Sequence, residues 1–199
     1  MKPQINPNIE KVLENTILPD LLRGRKDFDL PHTKAVVFWM KKLLLNVQNP
    51  SLDSQVLITA AYAHDWGYIG LFDGVDSTDI EVIHKMKPLH MERGSEKIRS
   101  LIGKKLSTYF SKEQQELVSH LVLVHDRIED LRGDAEIVLM EADTLGMLDT
   151  DLVKPTFSKA DNDVFIAREL NGRRLPVFKH QFAKETAKVL AQKRLSFYD

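Results

Sequence analysis

An all-α protein is predicted by two observations on the sequence. Apolar residues along its 199 positions recur mainly at spacings of three and four, the period that gathers them on one face of a helix. Period-two alternation bounded by turn residues, the mark of half-buried strands, is hard to find anywhere. The composition agrees with a packed bundle, since 43% hydrophobic and 29% charged side chains are an ordinary globular balance. At this length one core and a single domain, residues 1–199, are expected, with no repeat, low-complexity tract or linker to divide them.

A first helix is expected over about residues 8–22, with Val12, Leu13, Ile17, Leu21 and Leu22 on its apolar side and Gly24 close behind it. A second starts near Asp29 or Pro31, carries Val36, Val37, Trp39, Met40, Leu43 and Leu44, and stops before Asn49-Pro50. Ser51 is the expected N-cap of a third, SLDSQVLITAAYAHDWG, whose interior is apolar on nearly every side and which therefore reads as the buried central helix. Residues 67–79 hold three glycines and three aspartates and read as a long surface loop, of the kind that often serves as a lid. Pro88 is expected to open a helix to residue 105, and Ser111 with Gln114 to make a capping box for another that runs to about residue 128. Arg132-Gly133-Asp134 separates this from a helix holding Ala142 and Asp143, and Pro176 starts a last helix to about residue 195.

With 28 basic and 29 acidic side chains the formal charge is -1, so neither a nucleic acid polymer nor an anionic membrane is expected as partner. The absence of cysteine removes disulfides, thiolate metal sites and cysteine nucleophiles together, and any metal must be held by nitrogen and oxygen. No apolar run approaches the ~20 residues needed to span a bilayer, and MKPQINPNIE lacks the charged-then-apolar profile of a signal peptide. A cytoplasmic protein is expected, with its oligomeric state left open.

The most informative feature is His64-Asp65 at the end of the most apolar helix, in AAYAHDWGYIG. An imidazole and a carboxylate buried beside Ala, Tyr and Trp need partners, and a cation satisfies both at once. An isolated His-Asp pair is more often a hydrogen-bonded helix end, so the argument rests on further ligands from separate helices. His32 opens the second helix, and Asp143 lies in EADTLGMLD, where Ala142 and Gly146 leave room around the carboxylate. His90 in HMERGSEKI and His125 in HLVLVHD lie between them. Of the remaining histidines, His84 reads as a solvated or lid-contact residue and His180 as surface. His120, five residues before His125 and so on another face, reads as core or as a support behind the ligands. Trp39 and Met40 read as core.

The order His, His-Asp, His, His, Asp, with these flanking residues, resembles the HD-domain superfamily of metal-dependent phosphohydrolases over about residues 32–149. The resemblance implies an HD-type helical bundle with its metal-binding core at about residues 29–149. It implies one divalent metal on His32, His64, Asp65 and Asp143, and a second completed by His90 and His125, because the HxxxG spacing of His90 and Gly94 is similar to that of two-metal branches. One or two ions of Mn, Fe, Co, Ni, Mg or Zn per chain are then expected, since imidazoles and carboxylates suit such ions and leave coordination positions for water and a substrate oxygen. The implied reaction is hydrolysis of a small-molecule phosphate ester, of a nucleotide or related compound, by metal-activated water, with His64 and Asp65 as catalytic residues.

A phosphate also needs cations. Arg23, Arg25 and Lys26 precede His32, Arg127 follows His125, and Arg173, Arg174 and Lys179 approach from the C-terminal side. Each alone is more often a solvated surface charge; Arg127 and Arg25 rank first as substrate-binding residues. Three readings compete. The string HDRIED at residues 125–130 resembles the motif of stringent-response second-messenger hydrolases, but ranks lower, because His64-Asp65 has the apolar run, the terminating glycine and the upstream His32, whereas His125 is needed as a later ligand. HD-fold di-iron oxygenases use a similar ligand set, and a fold or ligand set alone does not fix the chemistry. A non-catalytic signalling module on the same scaffold usually lacks part of the set, which this chain keeps.

Overall fold

The computed structural model describes residues 5–25, 27–47, 49–75, 77 and 80–198. Among them there is no strand, and the protein is all-α as the spacing predicts. In chain order the helices are α1 (Pro7–Leu21), α2 (Asp29–Asn46), α3 (Ser54–Ala63), α4 (Ile80–Leu101), α5 (Lys112–Val124), α6 (Asp134–Leu148), α7 (Lys159–Val164), the single turn α8 (Leu175–Val177) and α9 (Gln181–Ser196). Short 3-10 turns at Trp66–Tyr68 and Ile128–Asp130 follow α3 and α5, and Ile102–Leu106 and Phe165–Arg174 are wound as π-helix.

Two helices form the centre. Every residue of α3 from Val56 onward is buried, as is an unbroken stretch of α6 from Ile137 to Gly146. A helix apolar on all sides can be stable only when other helices surround it. Around this pair α2 packs on both, α5 on α3, α4 on α5, and α9 on α6. α1 follows the simplest pattern, burying Ile9, Leu13, Ile17 and Leu21 at four-residue spacing behind an Asn6 cap that accepts the Asn8 amide at 2.9 Å. One continuous apolar cluster runs from Ile5 to Leu190. No helix of the described residues is long and apolar enough to cross a membrane.

Several boundaries differ from expectation, each for a local reason. The N-cap of α3 is Asp53, whose carboxylate accepts the amides of Gln55 and Val56, while Ser51 donates to Asn49 in a turn of its own. Pro88 does not open α4 but lies inside it. The turn before it is held by Ile83 packing with Tyr68 and Phe72, which offsets the backbone bond a proline cannot donate. The expected surface loop at 67–79 begins in the interior, because Trp66, Gly67 and Tyr68 are all buried. Residues 76, 78 and 79 of that loop lie outside the described residues. The last helix begins at Gln181, after Pro176, because the amides of Lys179 and His180 turn aside to the buried carboxylate of Glu141 at 2.7 and 3.0 Å.

Candidate metal centre

Three helix ends and two close crossings bring the candidate ligands together. His64 and Asp65 follow the last residue of α3, and the 3-10 turn after them runs directly under α4. A Cβ on Gly67 would overlap the carbonyl oxygen of His90 and stand 2.7 Å from the amide nitrogen of Gly94, so glycine is what lets His90 reach the site. At the crossing of α2 and α6 a Cβ on Gly146 would stand 2.9 Å from the Val36 nitrogen. That approach sets His32 Nε2 3.0 Å from Asp143 Oδ1.

The six residues form two buried groups, His32, His64 and Asp143 in one and Asp65, His90 and His125 in the other, each able to hold a metal ion. Asp65 lies between them. Its Oδ2 is 3.6 Å from His32 Nε2 and 3.5 Å from His64 Nε2, while Oδ1 is 3.5 Å from His90 Nε2 and 3.7 Å from His125 Nε2.

The hydrogen bonds on the far side of the rings test whether these groups suit a cation. His64 Nδ1 donates to the Ala61 carbonyl at 2.9 Å and His125 Nδ1 to the Val122 carbonyl at 2.8 Å, which leaves both Nε2 atoms as acceptors in the neutral rings. Those Nε2 atoms face other Nε2 atoms, His32 at 3.2 Å and His90 at 3.3 Å. Buried nitrogen lone pairs converging on carboxylates are stable only around a proton or a metal ion. Charge divides the two groups. Burial disfavours a charged His64, but Asp65 and Asp143 prevail and raise it to about 9. His90 is pushed down to about 3 by burial and by His125. Burial would raise Asp65 and Asp143, yet His64 and Arg25 hold the former, and Arg174 and His32 the latter, well below the usual carboxylate range.

Cations enclose the centre. Arg25 donates to Asp65 Oδ2 and Asp29 Oδ1, both at 2.6 Å, and its guanidinium lies over the Phe28 and Tyr68 rings. Arg174 donates to Asp143 Oδ2 and Asp126 Oδ1, both at 2.7 Å, and Lys87 pairs with Asp126 Oδ2 at 2.9 Å. These side chains border a cavity of about 60 Å³ against the ligands, with Phe28, Met147, Phe157 and Phe165 in its walls.

The structure thus gathers His32, His64, Asp65, Asp143, His90 and His125, and sets Arg25 beside them. It does not bring Arg127 there. Arg127 sits in the turn after α5, is exposed, and does not line the cavity, whose place on that side Arg174 takes. Lys26 lies outside the described residues. Arg173 and Lys179 pair elsewhere, with Glu129 and Asp134. His84 is exposed at the cavity rim. His120, expected in the core or as a support behind the ligands, is instead exposed and pairs with Glu136 at 2.7 Å, because its turn of α5 faces the start of α6. His180 is half-buried rather than a surface residue, with Nδ1 2.6 Å from Glu141 Oε2. Met40 is core, and Trp39 bonds Asp149 at its partly buried edge. On sequence, Lys87, Phe28 and Tyr68 have no role, and Asp126 is met only within the lower-ranked HDRIED string; the signal available was adjacency to ligands, three residues before His90 for Lys87 and one after His125 for Asp126.

An all-α bundle enclosing paired histidine and aspartate clusters defines a class of metal-binding helical proteins. Residues 30–193 match the HD-domain family, and the chain belongs to it. The match extends well past residue 149, where the sequence alone placed the end of the core, and takes in Arg174. Proteins of this family bind divalent metals and are usually metal-dependent phosphohydrolases. No curated protein and no solved structure matches the chain.

Proposed function

We propose that the protein is a metal-dependent phosphohydrolase that cleaves a small-molecule phosphate ester, of a nucleotide or a related compound. The observation that carries this reading is the position of Asp65, which turns one oxygen toward His32 and His64 and the other toward His90 and His125. A carboxylate so placed spans two cation positions, as in paired-metal hydrolytic sites. Divalent ions bound there supply Lewis acidity and an activated water. His64 and His125, each fixed by a carbonyl behind the ring, hold their Nε2 atoms toward the reacting centre. Arg25, confined between two aromatic rings, neutralises Asp65 and offers its remaining donors to a substrate oxygen. Arg174 does the same beside Asp143. No side-chain nucleophile is required.

The test is metal analysis of protein purified without added metal, then a screen under anaerobic conditions with Mn, Co, Ni or Mg. Phosphate release that a chelator suppresses is the expected result. Turnover seen only with iron and dioxygen would replace hydrolysis by oxygenation while leaving the ligands as assigned, and complete inactivity of a folded, metal-loaded protein would favour a signalling module.

A further inference from the structure

Asp126 is not a candidate metal ligand, yet it is buried beside one. Its side chain is 8% exposed, it directly follows His125, and its two oxygens carry different cations: Arg174 Nη2 at 2.7 Å on Oδ1 and Lys87 Nζ at 2.9 Å on Oδ2. The arms come from separate parts of the chain, Lys87 from α4 and Arg174 from the end of the π-helical stretch Phe165–Arg174. These two ion pairs on one carboxylate keep both arms in place. Neither cation is used up. Lys87 spends one donor on Asp126 and has two more. Arg174 donates through Nη1 and Nη2, while its buried Nε has no hydrogen-bond partner. Both side chains line the cavity over the metal ligands.

Charge and size together narrow what this arrangement accepts. Four carboxylates, Asp29, Asp65, Asp126 and Asp143, face three cations, Arg25, Arg174 and Lys87, and a fifth carboxylate in the lining, Glu169, is paired with Arg173, so with the histidines neutral, as metal ligation requires, one negative charge is left over. Two divalent ions would turn that into a strongly positive pocket. A cavity of about 60 Å³ has room for about two waters at the ~30 Å³ each takes up in the liquid. That is about the room of one phosphoryl group.

We propose that Lys87 and Arg174, positioned by Asp126, form a receptor for a doubly charged terminal phosphate, so that the substrate is a phosphomonoester entering phosphate-first. This rests on the hydrolase reading above and adds to it the exclusion of phosphodiesters. Lys87 and Arg174 touch the substrate; Asp126 is a positioning residue. The organic part of the substrate lies outward, against Phe157 and His84 at the rim.

The experiment compares two esters with the same leaving group, p-nitrophenyl phosphate and bis(p-nitrophenyl) phosphate, on the metal-loaded protein, and follows inorganic phosphate and dimethyl phosphate binding by calorimetry. Monoester turnover should exceed diester turnover at least about 100-fold. Inorganic phosphate should bind more tightly as its second proton leaves, near pH 6–7, while dimethyl phosphate does not bind. Lys87→Met should weaken phosphate binding and raise KM for the monoester about tenfold with metal content retained, and Lys87→Arg should restore most of the loss. Asp126→Asn should raise KM for the monoester with kcat and metal content largely retained, Asp126→Glu should recover most of the loss, and the pH dependence set by the phosphate itself should persist in both. Equal or better hydrolysis of the diester, or phosphate affinity unchanged in Lys87→Met, overturns the receptor and leaves the hydrolase standing. If neither ester is cleaved but phosphate binds as described, the hydrolase reading fails and the receptor does not.

Discussion

The Tyr68 ring lies flat on the imidazole of His90, with centroids 3.9 Å apart and planes 6° from parallel. His64 and His125 are each oriented by a carbonyl behind the ring, but His90 Nδ1 is buried with no partner. With His90 Nε2 turned to His125, the stack is what holds the plane of the His90 ring. A well-placed aromatic pair contributes about 0.5–1.5 kcal/mol beyond its buried area. Tyr68→Leu should weaken metal binding at the Asp65, His90 and His125 group by up to about tenfold, and Tyr68→Phe should leave it nearly unchanged. Calorimetric titration with Mn reads this directly, and equal affinity in both variants would show that some other contact orients His90.

Because Asp65 faces both groups, its loss should differ in kind from the loss of a histidine. His90→Ala or His125→Ala should lower the metal content from about two ions to about one. Asp65→Ala should deplete both positions and abolish turnover, as should His64→Ala, with helicity kept in each. Metal analysis beside circular dichroism separates these outcomes. A folded Asp65→Ala protein that still holds two ions would remove Asp65 from the bridge.

Gly67 is the tightest backbone approach at the site. A methyl group there would meet the His90 carbonyl and the Gly94 amide, both backbone, so neither can swing aside. Overpacking of this sort costs about 1–3 kcal/mol. Gly67→Ala should lower the Tm by several degrees and reduce metal binding at His90 more than at His32. In contrast, Gly94→Ala meets the end of the Val122 side chain at 3.1 Å and backbone atoms of Ala63 and Gly67 no closer than 3.5 Å, and should be milder.

What the sequence disclosed, and what it did not, follows from how far each signal reaches. The helices could be read because burial on one face imposes spacing on neighbours within two turns; α5 is the clearest case, its Ser111–Gln114 capping box forming as expected. The six candidate ligands could be read because their order and flanking residues resemble those of the HD-domain family; His64-Asp65 alone would not have distinguished a ligand pair from a hydrogen-bonded helix end. Arg174 and Asp126 left no such mark. Their pairing spans 48 positions, and the π-helical winding of Phe165–Arg174 removes the ordinary helical period that would have shown Arg174 facing inward. Arg127 ranks first on sequence because a phosphate calls for a cation; the turn at the end of α5 sends that cation to solvent and keeps its neighbour Asp126 inside.

The two halves of the centre should pull the stability of the metal-free protein in opposite directions with pH. Stability rises with pH wherever the unfolded chain binds more protons, and falls where the folded chain binds more. His90 is lowered to about 3 in the fold against an ordinary value near 6.5, so from about pH 3 to 6.5 the unfolded chain holds the extra proton and stability climbs. His64 is raised to about 9, so its contribution is complete below about pH 6.5 and is lost as pH rises through 9. Each shift corresponds to a few kcal/mol, on the order of 1.4 kcal/mol per pH unit. The Tm of chelator-treated protein should therefore pass through a maximum near pH 6.5 and fall on both sides between pH 5 and 9, and His64→Gln should remove the alkaline fall. Saturating Mn should move the maximum upward, because a metal ion competes with the proton on His64 and prevails as pH rises. A Tm that climbs steadily to pH 9 without metal would mean that His64 is neutral in the folded protein, and that Asp65 and Asp143 do not charge it.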